Sequence, residues 1–135
     1  MSYDAKRDTN RIATVPNAIK INILDPTNID TYNKNVRIQL SDTQNNPVQI
    51  SVVIEVAIFE DELLSNLSQL AKLSESSEGI IISGENLSAI NIKTDNFGKF
   101  TCKLNHLLQG SVYMGCSTTY GSLAIDCTNK KQIIF

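Results

Sequence analysis

Two runs of alternating residues on either side of a four-residue turn constrain this chain more than any other feature. Ala89, Asn91 and Lys93 alternate with Ile90, Ile92 and Thr94, the period of a strand with one apolar face. Asp95-Asn96-Phe97-Gly98 then offers a turn. An Asp side chain bonds its own downstream backbone, and Gly98 can take the positive φ that closes such a loop. Beyond it Phe100, Cys102 and Leu104 alternate with Thr101 and Lys103. The spacing predicts a β-hairpin and, with it, an antiparallel β protein.

The same period recurs along the chain. Ile19, Ile21 and Ile23 alternate with Lys20 and Asn22 until Asp25-Pro26-Thr27-Asn28 stops the strand. Val36, Ile38 and Leu40 form a second strand, ended by the turn cluster from Asp42 to Val48. Gln49 to Phe59 is the longest run: Ile50, Val52, Ile54, Val56 and Ile58 share one face, while the other is half apolar and calls for a partial cover. Ile80-Ile81-Ile82 leads through Gly84-Glu85-Asn86 into the hairpin. Val112, Met114 and Cys116 make a further strand, and Leu123, Ile125 and Cys127 the last. Short strands separated by turn clusters predict an all-β antiparallel sandwich over residues 19–127.

Three stretches break the pattern. Residues 1–18 show neither period and read as an extended arm, with Tyr3, Arg7, Arg11 and Ile12 as candidates for gripping a neighbouring subunit. Glu60-Asp61-Glu62 precedes Leu63, Leu64, Leu67, Leu70, Ala71 and Leu73 at helical spacing, which predicts a short inserted helix at about 61–73. Its face, with Leu63, Leu67 and Leu70, either covers the domain's own sheet or docks a partner. Residues 128–135 read as a tail whose apolar end, Ile133 and Phe135, is a further docking candidate.

Composition excludes several functions. Net charge is −2 with no Lys/Arg block, which argues against nucleic acid and anionic membrane as partners. The first residues lack an apolar core of signal-peptide type, and no apolar run approaches a membrane span, so synthesis in a cytoplasm without a signal peptide is expected. Cys102, Cys116 and Cys127 read as buried, reduced residues, with a Cys116–Cys127 bridge as the alternative. With one His and no C-x-x-C, zinc is not expected. His106 reads as a solvent-facing loop residue. No Gly-rich phosphate loop or nucleophile–base pair can be named, so neither enzyme activity nor a cofactor is expected. Calcium in the loops of Asp25, Asp30 and Asp42 is a secondary possibility.

Asn46-Pro47-Val48 after Asp42, then Thr94-Asp95-Asn96-Phe97-Gly98-Lys99-Phe100, then Gly110-Ser-Val-Tyr-Met-Gly-Cys resemble the bacterial immunoglobulin-like domains of the invasin and intimin type. The resemblance spans roughly residues 19 to 127 and implies an immunoglobulin-like antiparallel β-sandwich. Asn45 stands where that family usually has Gly, and the helix at 61–73 would be an insertion. Lone copies of this kind resemble modules carried on tailed bacteriophage virions. The resemblance therefore implies a structural or accessory virion protein, multi-copy, docking on capsid or tail subunits through arm, helix or tail as a capsid-decorating, fibre-attaching or tail accessory module. The alternative is an adhesion module for a host-surface ligand such as a glycan, with Tyr32, Tyr113, Tyr120 and Phe97 as aromatics near turns.

Overall fold

The computed structural model describes residues 19–118 and 126–135. They form ten strands: β1 (Lys20–Ile23), β2 (Thr27–Asp30), β3 (Asn33–Ser41), β4 (Val53–Phe59), β5 (Ala71–Glu78), β6 (Ile80–Ser83), β7 (Ala89–Lys93), β8 (Lys99–His106), β9 (Ser111–Thr118) and β10 (Asp126–Ile134). One sheet runs β1-β3-β8-β5, with β2 also paired to β3; the other runs β10-β9-β4-β7-β6. Every pairing is antiparallel. No helix forms among the described residues, and none therefore is long and apolar enough to cross a membrane.

The alternating faces meet between the sheets. Val36, Ile38, Leu40, Phe100 and Leu104 of the first sheet pack against Ile54, Val56, Ile58, Ile90, Ile92, Val112 and Met114 of the second. Each such side chain contributes about 1.5–3 kcal/mol by leaving water. Strand register follows: Ile54 lies opposite Ile92 and Val56 opposite Ile90, so one pleat delivers both to the same face. The long run from Gln49 to Phe59 begins as a strand at Val53, and β2 is an extra short strand directly after Pro26.

The expected hairpin at Asp95–Gly98 is corrected. The turn is there, with the Gly98 N–H donating to the Asp95 carbonyl (3.0 Å) and the Asp95 carboxylate accepting from the Phe97 and Lys99 N–H groups. Yet β7 pairs with β4 and β6, whereas β8 pairs with β3 and β5. The turn carries the chain from one sheet to the other. Ile90 and Ile92 can then face Phe100 and Leu104 across the core instead of lying beside them.

The expected helix at 61–73 is also corrected. Residues 61–70 form an irregular loop, and β5 begins at Ala71. The Asp61 carboxylate accepts from the Ser65 and Asn66 N–H groups (3.0 and 2.7 Å), and Leu64 takes a positive φ of 56°, which no α-helix accommodates. The Ser68 hydroxyl oxygen accepts from the Leu70 and Ala71 N–H groups and launches the strand. A helix of three turns is marginal by itself. Pairing Ala71 with His106 and Leu73 with Leu104 gains ladder hydrogen bonds and buries Leu73.

The tail reading gives way as well. Residues 131–134 pair with 114–111 of β9, and Ile133 is part of the core. Cys102 and Cys116 are buried free thiols, and the Cys127 side chain lies outside those described. Burial pushes Cys102 up to about 12 and Cys116 higher still, which keeps both protonated and inert. The arm (residues 1–18), Leu123 and Ile125 lie outside the described residues.

Two glycines make the sheet crossings possible. Gly79, at φ +72°, is the one residue between β5 and β6, which belong to different sheets. At Gly98, φ is +73° and a Cβ would lie 2.0 Å from the Val48 carbonyl oxygen. Left-handed backbone costs a β-branched residue about 1–2 kcal/mol before any clash, and here a backbone carbonyl must move besides. Gly98→Val is therefore expected to lose more than about 2 kcal/mol in urea unfolding, above the usual effect of a point mutation. An unchanged urea midpoint would contradict the tight seat of this turn on Val48.

Candidate functional site

At one end of the sandwich the β2–β3 turn, the β4–β5 loop, the β8–β9 loop and the last residue come together. His106 is their hinge point. It continues the inward series Phe100, Cys102, Leu104, and it is 3% exposed, not the solvent-facing loop residue expected from sequence. Its Nδ1 lies 2.6 Å from the Leu108 carbonyl oxygen and its Nε2 3.0 Å from Glu60 Oε2. Its backbone N–H donates to the Tyr32 carbonyl (3.0 Å). The ring stacks on Phe135, centroids 5.4 Å apart. Phe135 is in turn clipped to Gly110 by a reciprocal pair of backbone hydrogen bonds.

The groups facing the imidazole are both acceptors. Both ring nitrogens are thus engaged, one by the Leu108 carbonyl and the other by the Glu60 carboxylate. Ser68, itself buried, donates its hydroxyl proton to the same carboxylate. Partial burial pushes Glu60 up, but the bonds from Ser68 and His106 outweigh it and hold the carboxyl below its ordinary range. Each ring nitrogen lies within hydrogen-bond distance of a partner in the protein. The cluster is a clamp tying four chain segments together.

Around the clamp lies an exposed, partly apolar surface. Asp30, Thr31, Tyr32, Asn33, Asn105 and Leu107 line a broad depression of about 650 Å³. The Asp30 carboxylate accepts from the Tyr32 N–H and the Asn33 amide, and the Asn105 amide donates to Asn33 Oδ1 (3.0 Å), so this floor is fixed. Leu107, Leu108 and Ile134 are exposed, and Lys34 sits over the Phe135 ring at 5.6 Å.

The docking candidates read from sequence separate here. Phe135 belongs to this end, while Ile133 is a core residue and cannot meet a partner. Leu63 is 78% exposed on the 61–70 loop, Leu67 is exposed beside a bridge to Phe59, and Leu70 is half-buried; they do not share a helical face. Tyr3, Arg7, Arg11 and Ile12 lie outside the described residues. Sequence reading missed His106 and its neighbours Tyr32, Leu107 and Leu108 as a group. The available signal was the alternation from Phe100, which places residue 106 inward.

The carboxylates of the acidic loops are engaged by nearby backbone and side-chain groups. Asp42 accepts from the Gln44 and Asn46 N–H groups, Asp30 holds its own turn, and Asp25 pairs with Lys131. Among the described residues no group of three or more His, Cys, Asp or Glu is placed to hold a metal ion. Asn45, in the position expected to be glycine, adopts φ +66°. Compared with known proteins, the chain matches no family model and no curated protein.

The Glu60 carboxyl sits below its unfolded range in the fold. Its ionised form therefore adds stability above about pH 4.5, lost as pH falls through the depressed folded value. Glu60→Gln is expected to be less stable than the native chain at neutral pH. The gap should narrow as the solution is acidified from about pH 6 to about pH 3. Thermal unfolding across that range reads the effect; a gap independent of pH would remove the ionic role of Glu60.

Proposed function

We propose that this chain is an immunoglobulin-like module that docks on neighbouring subunits of a multi-copy assembly, as an accessory structural protein of a tailed-bacteriophage virion. The role is non-enzymatic and involves neither nucleic acid nor membrane. The observation that carries it is the end surface of Tyr32, Leu107, Leu108 and Ile134, apolar side chains held in the open by a buried clamp. Exposed apolar side chains on a rigid frame favour a protein contact. The strand order supports the fold assignment: β1-β3-β8-β5 and β10-β9-β4 follow the order of a constant-type immunoglobulin domain, with β7 and β6 extending the second sheet. Short turn motifs shared with the invasin and intimin type domains point the same way.

One observation favours adhesion to a glycan as a second reading. A half-exposed Tyr32 beside Asp30, Asn33 and Asn105 combines a stacking ring with fixed polar groups.

Leu107→Asp with Leu108→Asp separates the readings. Both side chains are exposed, so the double variant is expected to keep its stability to within about 0.5 kcal/mol per site. It should be depleted at least tenfold from purified virions when made in the source host, as read by quantitative mass spectrometry. Full occupancy of the variant in particles, or absence of the native chain from them, would defeat the virion reading. Binding to a glycan array that Tyr32→Ala abolishes would favour adhesion.

A further inference from the structure

Among the described residues the two sheets present four outer edges, and three are blunted in the usual way. β5 carries Glu75 and Glu78, β1 carries Lys20, and β10 carries Lys130 and Lys131. Charges of this kind discourage strand addition. β6 is different. It reads Ile-Ile-Ile-Ser, pairs among the described residues with β7 alone, and leaves Ile80 57% and Ile82 50% exposed while Ile81 packs inward. A register shift between Ile81 and Ser83 is its one edge-blunting feature.

We propose that β6 is a strand-acceptor edge, filled by residues 11–15 of a second copy of this chain. That segment, Arg-Ile-Ala-Thr-Val, lies outside the described residues and contains three β-branched residues, a composition suited to a strand. Charge matches: Glu78 and Glu85 bracket β6, while Arg11 opens the segment and Arg7 precedes it. Reach decides between the chain's own segment and a neighbour's. Residue 19 immediately precedes β1, which packs beside β10, and β6 is the far edge of the same sheet as β10. Four strand spacings make that separation about 19 Å, whereas the four residues from Ile19 back to Val15 span at most about 14 Å. Val15 cannot reach its own β6.

The addition would give main-chain hydrogen bonds for affinity and let Ile80 and Ile82 meet apolar side chains of the donor. Donor and acceptor are different surfaces of the chain, so the contact is head-to-tail and generates a ring or an open array. The inference rests on the assembly reading only for supplying neighbours, and it uses a different surface from the Leu107–Leu108 end.

The test uses the full chain. Chains carrying Ala13→Cys and chains carrying Ile82→Cys, distinguished by tags, are mixed and mildly oxidised. A disulfide-linked heterodimer at least tenfold above either variant alone is expected. Ile80→Lys with Ile82→Lys, both on outward positions, should weaken self-association at least tenfold in sedimentation while leaving the circular dichroism spectrum unchanged. No cross-chain product above background would overturn the proposal, as would self-association indifferent to the two lysines. So would a link formed only within chains bearing both cysteines. Self-association lost in Leu107→Asp/Leu108→Asp but kept in the lysine variant would overturn it while leaving the end-surface reading standing.

Discussion

Everything in this fold depends on two sheets burying their alternating faces against each other. β4 and β8 sit inside their sheets, paired on both sides, and contribute Ile54, Val56 and Ile58 on one hand, Phe100, Cys102 and Leu104 on the other. No single pair holds the domain. The contact is a continuous apolar layer in which each side chain has neighbours from both sheets, so loss of one leaves a cavity that the rest cannot readily fill. The face-to-face packing also sets the crossings, because the chain must pass repeatedly from one sheet to the other to fill both layers.

The crossings are where polar chemistry concentrates. Asp42, Asp61 and Asp95 each turn the chain by accepting backbone N–H groups that no ladder satisfies. Glu60 does this between segments rather than within one, holding Ser68 and His106 at once. Such carboxylates resemble a catalytic or metal-binding set in composition alone. Geometry assigns them to the backbone, and that is why an acidic sequence cluster is weak ground for inferring a ligand.

Surface chemistry divides the molecule further. The clamped end holds apolar side chains at fixed positions, because His106 and Phe135 tie loop and terminus to the core beneath them. The β6 side instead offers main chain that is unpaired among the described residues, beside two exposed isoleucines. Rigid side-chain surface and open strand edge recognise partners by different physics: shape and desolvation in the first, directional hydrogen bonds in the second. A module with both can meet two neighbours without the contacts competing.

The sequence by itself determined most of the strands, their inward faces and most of their turns, because a period of two and a turn residue's backbone preference are local properties. Ile90, Ile92, Phe100, Leu104 and Val112 are buried as their spacing requires, and Gly98 takes the positive φ its turn demands. Tertiary structure decided which sheet each strand joins, so the apparent hairpin became a crossing. It also decided that Ala71–Glu78 pairs with β8 instead of ending a helix, since leucine spacing over two or three turns is compatible with either state until a sheet edge competes for it. His106 was legible as a face but not as a site. Glu60, Ser68 and Phe135 lie far from it in sequence, and only the closing of the two sheets brings them to its ring.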